Sequence, residues 1–405
     1  MKNLARHIYR RIRAQLLQRM IPKSQAQLPN SLDDLHIEIL GFFCSISGIG
    51  ESARLCAQQL ADDGYLVTCT SVEKYFRKPE EIAWHWDNPT LTEKHHPKVN
   101  CRIFHLNPPM LPPVILQMGL DNFKNTYNIG YWAWELETIP AEWVNALAYM
   151  NAIFTPSHFT TEVIQRYTKS PVITATHPVT PGQSTSDIRS RLNIPEEAFL
   201  VSSIFSFGSA LERKNPQGIV NAFKQAFHGT TEAYLVLKSN AGGDTTEKQQ
   251  LLESIRAYPN ILLIDQAWSR ADVLGLIETS TLYASLHRSE GFGLTIAEAL
   301  LLGTPVLVTA WSGNMDFCSD ENSFLVPYDP IQVNSSHPEF REFENATWAD
   351  ADTDYAAKIL SKVYYNPQLV AEKRFHCAQQ IKACIVLNKY QIALRKLIHS
   401  QSHNL

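Results

Sequence analysis

At 405 residues, 44% hydrophobic and 19% charged, the sequence has the material for two ordinary domains, each with its own core. A net charge of −4 gives no general reason to expect a nucleic-acid partner, and seven scattered cysteines without a C-x-x-C pair indicate neither a disulfide framework nor a zinc site. No apolar run is long enough for a transmembrane span or a signal-peptide core, which points to work in the cytoplasm.

The charge is unevenly distributed. Before Asp33 there is no acidic residue, whereas Lys2, Arg6, Arg10, Arg11, Arg13, Arg19 and Lys23 are basic, and Leu4, Ile8, Ile12, Leu16 and Met20 recur every four residues. A helix in residues 1–30 would set an apolar stripe against a basic face. Such a helix suits an anionic membrane surface, peripheral at the inner face, or a place on the body of the protein.

Residues 35–43 read as a strand, 51–63 as a helix and 65–70 as the next strand, a βαβ opening. Its turn, Gly48-Ile49-Gly50-Glu51-Ser52-Ala53, fits the G-x-G-x-x-A pattern of dinucleotide sites, but the acidic residue expected about twenty positions on is displaced to Glu73. Residues 101–106 form a third strand stopped by Pro108 and Pro109, which leaves Asn107 at its end. The run 127–135 is another strand, delivering Trp134, Glu135 and Glu137 to a loop closed by Pro140. A helix over 141–149 and a strand over 151–155 follow, leading to His158. The Pro-, Ser- and Thr-rich stretch 176–195 interrupts the alternation, so a domain boundary is placed there.

The second domain opens with a strand over 199–205, then Ser206-Phe207-Gly208-Ser209 and Arg213-Lys214-Asn215-Pro216. Asn215 reads as an N-cap and Pro216 as the first helical residue. Two cations before a helix start can neutralise a diphosphate and stabilise charge on a leaving group, and Lys238, at the end of a strand over 234–238, is a further candidate for phosphate. Residues 261–264 are a strand, and 270–279 a helix capped by Ser269.

Residues 285–317 carry the most chemistry. Strands over 282–286 and 304–309 flank a helix that begins after Gly291 and Gly293 and ends at Gly303. Glu290 then lies in a loop at the carboxyl end of a strand, where open α/β sheets bind ligands, and Glu298 eight residues later on the first turns of the helix. The amides of Gly293, Leu294 and Thr295 point from a helix N-terminus that favours phosphate. Carboxylates beside a phosphate site suit a ligand both anionic and hydroxyl-rich, such as a nucleotide sugar. Beyond it lie a strand over 323–326, an acidic loop over 337–354 and a last helix over 378–398.

The E-x7-E spacing of Glu290 and Glu298, with the EGFGL run, the EAL-xx-GTPV continuation and the SGN-x-DF tail holding Asp316, resembles the signature of retaining glycosyltransferases of family 4, of the bacterial surface-polysaccharide type. The resemblance implies an α/β GT-B fold, two Rossmann-like domains facing each other across a cleft: a basic segment 1–30, an acceptor domain 31–185, a nucleotide-sugar domain 186–375 and a helix 376–405 crossing back. It gives the donor sugar to Glu290 and the ribose to Glu298, with Gly291, Phe292, Gly293, Leu294, Thr295, Gly50, Ser209 and Lys238 also at the donor. It makes Lys214 the diphosphate cation, with Arg213 replacing the family's earlier arginine, Glu135 the group that positions the acceptor hydroxyl, and residues 265–267 the neighbourhood of the nucleobase.

The resulting expectation is a hexosyltransferase acting from a nucleotide diphosphate sugar to a saccharide or lipid-linked acceptor in polysaccharide biosynthesis. It needs no cofactor, since the nucleotide sugar is a substrate, no metal and no nucleic acid. The D-x-D spacings at Asp350, Asp352 and Asp354 lead into a helix, where acidic residues complement the dipole, rather than to a metal. A sugar-nucleotide epimerase, an NAD(P)-dependent oxidoreductase resting on Gly48 to Ala53, and a non-catalytic binding module are the alternatives.

Overall fold

Short runs of β-branched and aliphatic residues such as Val306–Thr309 are buried throughout, the pattern of strands covered on both faces in a parallel sheet. A computed structural model describes residues 16–17, 19–86, 98–240, 245–335, 337–340, 343 and 345–402, and the chain divides into two units.

The first unit comprises Met1–Trp134, Thr138–Pro178 and Ile385–Leu405. Its strands β1 (His36–Gly41), β2 (Leu66–Ser71), β3 (Cys101–Phe104), β4 (Tyr127–Tyr131), β5 (Ala152–Thr155) and β6 (Val172–Thr174) are parallel, in the order β2-β1-β3-β4-β5-β6. Helix Gly48–Asp62 buries Ala53, Cys56, Ala57 and Leu60 in one core with Ile37, Ile39, Ile103 and Ile129. Strand β4 stops at Tyr131, short of the expected 135, because Trp132 and Trp134 turn into a cluster around Trp143.

The expected last helix over 378–398 is two helices, Gln368–Leu387 and Tyr390–Ser402. The break comes where the Asn388 carbonyl accepts from the Thr176 amide at 3.0 Å, and beyond it Tyr390, Ala393, Leu394 and Leu397 enter the first unit's core. The basic residues Lys2, Arg6, Arg10, Arg11 and Arg13 lie outside the described residues. From Ile21 on, the N-terminal segment packs on this unit: Ile21 and Leu28 are buried, and Lys23 Nζ donates to Ser170 Oγ at 3.0 Å.

The second unit, Glu135–Glu137 with Val179–Cys384, holds β7 (Phe199–Ile204), β8 (Ala233–Ser239), β9 (Ile261–Asp265), β10 (Leu282–Ser285), β11 (Val306–Thr309) and β12 (Ser323–Val326). The order is β12-β11-β10-β7-β8-β9, so the winding reverses between β7 and β10, the point where open α/β sheets receive ligands. Each loop that leaves the carboxyl end of these two strands carries charged residues, treated below.

One departure from the sequence reading stands out. The stretch expected as an acidic loop over 337–354 contains β14 (Thr347–Ala351), paired antiparallel with β13 (Tyr328–Gln332). Val333, Phe340 and Trp348 are buried under this hairpin, and that burial holds it. Asp350 pairs with Arg288 at 2.9 Å, and Asp352 caps helix Thr353–Tyr365 by accepting from the Tyr355 amide at 2.8 Å. Two of the D-x-D carboxylates, Asp350 and Asp352, thus have structural partners.

Candidate functional site

Asn215 organises the loop after β7. With φ 50° and ψ 50° it closes helix Leu211–Lys214 and caps helix Pro216–Ala226, its Oδ1 accepting from the Gly218 amide at 3.1 Å. Its Nδ2 donates to the Leu286 carbonyl at 2.9 Å, which ties this loop to the one after β10. Lys214 and Arg213, the two residues before it, are thereby held against Ser289 and Glu290.

At that junction four charges interlock. Lys214 Nζ lies 2.5 Å from Glu290 Oε1, and Arg213 NH1 lies 3.2 Å from Glu290 Oε2 while donating to the Ser289 carbonyl at 2.7 Å. Arg213 NH2 is 3.7 Å from Glu135 Oε1, and the Glu135 carbonyl accepts from Ser289 Oγ. Burial favours the neutral form of Glu290, but Lys214 and Arg213 outweigh it and hold the carboxyl down at about 2. Glu135 goes the other way: burial, opposed by Arg213 and helped by Glu339 and Glu290, pushes it up to about 7. Burial also lowers Lys214, against the opposing pull of Glu290.

The loop from Glu290 to the next helix is fixed from below. The Glu290 amide donates to Ser312 Oγ at 2.8 Å and its carbonyl accepts from the Gly313 amide at 2.9 Å. His287, fully buried, bridges Ser285 Oγ and Asn314 Oδ1, each at 3.0 Å. Phe292 packs on Phe317. Gly293, at φ 93°, caps helix Leu294–Leu301 through its backbone alone, and the first helical hydrogen bond runs from the Ala297 amide to the Gly293 carbonyl. Gly291, Leu294 and Thr295 therefore surround a helix N-terminus without a side-chain cap, with Thr295 Oγ1 accepting from Tyr283 at 2.7 Å. Glu298, 3% exposed, accepts from Arg270 NH2 at 2.9 Å.

Residues 185–340 match the family model described as glycosyl transferases group 1. Residues 185–340 are thus similar to group 1 glycosyl transferases. This span includes Arg213, Lys214, Glu290 and Glu298, and it lies within the second unit.

Solved structures extend the likeness in fold to the whole chain. A pneumococcal O-GlcNAc transferase, GtfA, in complex with UDP and GlcNAc, is 19% identical with a TM-score of 0.52, over 74% of this chain and 57% of its own. The chain thus spans little more than half of that protein. A sucrose-phosphate synthase from Thermosynechococcus elongatus is 13% identical with a TM-score of 0.64, over 92% and 100%. HepE from Anabaena, in complex with UDP-glucose, is 14% identical with a TM-score of 0.60, over the same shares. At these identities they show the fold, α/β GT-B with two Rossmann-like domains. No curated protein matches the chain in sequence.

Three of the expected donor residues have internal engagements. Ser209 Oγ donates to the Ser206 carbonyl at 2.9 Å, within its own turn. Lys238 Nζ, buried, donates to the carbonyls of Ser239 at 2.5 Å and Gln266 at 2.8 Å, so it clips the end of β8 to the loop after β9. Gly50, in the first unit, is a helical residue, and a Cβ there would come within 2.6 Å of the Phe42 and Ser45 carbonyls, so the chain itself requires glycine. Glu73, the displaced acid of the dinucleotide pattern, is buried, accepting from the Cys44 amide at 2.7 Å and from Ser71 Oγ.

Sequence reading did not find Arg270, Ser312 or Asn314 as parts of this site. Ser312 and Asn314 stand in the SGN run, a usable signal. Arg270 is 28 positions from Glu298 and gave none.

Proposed function

We propose that this enzyme transfers a hexose, with retention of anomeric configuration, from a uridine diphosphate sugar to a saccharide or lipid-linked acceptor in polysaccharide assembly. The reading is supported above all by the Lys214–Glu290 pair at the carboxyl ends of β7 and β10, beside the N-terminus of helix Leu294–Leu301. An arriving diphosphate competes with Glu290 for Lys214 and takes the amides of Leu294 and Thr295. Glu290, released from that contact, accepts from hydroxyls of the donor sugar, and Glu298 accepts from those of the ribose.

As the glycosidic bond breaks, negative charge grows on the leaving diphosphate, and Lys214 stabilises it. Arg213, pinned by Ser289, Glu290 and Glu135, keeps both carboxylates in place. Glu135, with its raised pKa, hydrogen-bonds the acceptor hydroxyl. The choice of uridine draws on the fold neighbours solved with UDP or UDP-glucose. The test is proton NMR of the product from UDP-glucose or UDP-GlcNAc: an anomeric configuration equal to that of the donor supports the proposal, and an inverted one overturns it.

A peripheral site at an anionic membrane surface accompanies this reading. Among the described residues no helix is long and apolar enough to cross a membrane. Leu16 and Met20, the described end of the apolar stripe, are each 53% exposed. Removal of residues 1–15 should abolish binding to anionic vesicles; equal binding removes the idea.

A further inference from the structure

Glu298 is almost wholly withdrawn from water, and an ionised carboxylate in such a place needs a counter-charge. Arg270 supplies one, its NH2 group 2.9 Å from Glu298 Oε1. The two side chains differ sharply in exposure: that of Arg270 is 43% accessible and that of Glu298 4%. The guanidinium is therefore the solvent-exposed member of the pair, and the carboxylate the buried one. Arg270 is also rigidly placed, as the first residue of a helix whose N-cap, Ser269, accepts from the Asp272 amide at 3.1 Å. A carboxylate accepts about four hydrogen bonds, so the ion pair leaves Glu298 able to receive hydroxyl groups.

We infer that Arg270 is a positioning residue that holds the Glu298 carboxylate aimed at the ribose, and so sets this enzyme's preference for a ribose bearing both hydroxyls. The inference rests on the ribose role proposed for Glu298. A ligand lacking one ribose hydroxyl forfeits a hydrogen bond to a charged acceptor, a loss of roughly tenfold in affinity. Without Arg270 the carboxylate is free to turn, and the discrimination shrinks.

The experiment is calorimetric titration of UDP, 2′-deoxy-UDP and 3′-deoxy-UDP into the native enzyme and into Arg270→Ala, Arg270→Lys and Glu298→Gln. In the native enzyme UDP should bind about tenfold more tightly than at least one deoxy analogue. Arg270→Ala should cut that ratio to about threefold or less, and Arg270→Lys should largely keep it, because the contact is a single charged hydrogen bond. A ratio of affinities does not move with the folded fraction, so a merely structural role would leave it unchanged. If Arg270→Ala weakens all three ligands equally while Glu298→Gln collapses the ratio, the inference fails and the ribose role stands. If neither substitution alters the ratio, the ribose role falls with it.

Discussion

Lys214 and Glu290 are 76 positions apart in sequence, yet their charged atoms meet at 2.5 Å where the winding of the second sheet reverses. One cation and one carboxylate, proposed to serve different parts of a nucleotide sugar, thus neutralise each other. This arrangement keeps the buried Glu290 charge tolerable, and on the proposed reading donor binding is an exchange of partners.

Lys214→Met should lower kcat by roughly a hundredfold to a thousandfold, the usual effect of removing a group aimed at developing charge. Donor KM should change much less, because the helix N-terminus still binds the ground-state diphosphate. Steady-state kinetics with varied donor would show it. An unchanged kcat with a raised KM would assign Lys214 to binding alone.

Glu290→Gln should destabilise the fold at pH 7 by about 3 kcal/mol, since it takes this carboxylate from buried Arg213 and half-buried Lys214. The pH dependence has a definite sign. The folded-state pKa of about 2 lies below the ordinary 4.5, so the stabilisation from this carboxylate is present above pH 4.5 and is lost as pH falls towards 2. Denaturant unfolding at pH 7 and at pH 3 should therefore show a smaller gap between native and variant protein at the lower pH.

Glu135 predicts the opposite slope. Its folded-state value of about 7 is above 4.5, so its contribution to stability is greatest below pH 4.5 and declines as pH rises through 7. Glu135→Gln should gain stability relative to the native protein between pH 5 and pH 8. The same substitution should remove an ionisation near pH 7 from the activity profile, and a profile that keeps it would assign that ionisation elsewhere.

Asn215→Ala should cost about 2 kcal/mol, the sum of a lost N-cap and an unpaired Leu286 carbonyl, with added strain at a positive φ. Asn215→Gly should cost less, because glycine accepts φ 50° freely. Activity should fall in both, since the loop carrying Lys214 loses its tie to the loop carrying Glu290.

Much of this was legible in sequence where a local pattern carries the structure. Asn215-Pro216 announced a cap and a helix start, and Glu290 and Glu298 fell on the loop and the helix that their spacing required. The hairpin of β13 and β14 was hidden because Asp329 and Pro330 argue against a strand, and its stability comes from the buried Val333, Phe340 and Trp348. Nothing local in the sequence marks the helix break at Asn388, whose carbonyl is claimed by Thr176. Arg270 was unreadable for the same reason: ion pairs between loops leave no periodicity.

The central claim is that the second unit grips an activated sugar with Glu298 on its ribose. It is tested most directly by thermal unfolding of the native chain and of Glu298→Ala across a panel of nucleotide sugars that includes UDP-glucose and UDP-GlcNAc. Ligand that binds only the folded state raises the transition by mass action. At least one uridine diphosphate sugar should raise it in the native chain and do so far less in the variant. Equal shifts in both proteins, or none with any member of the panel, would contradict the account.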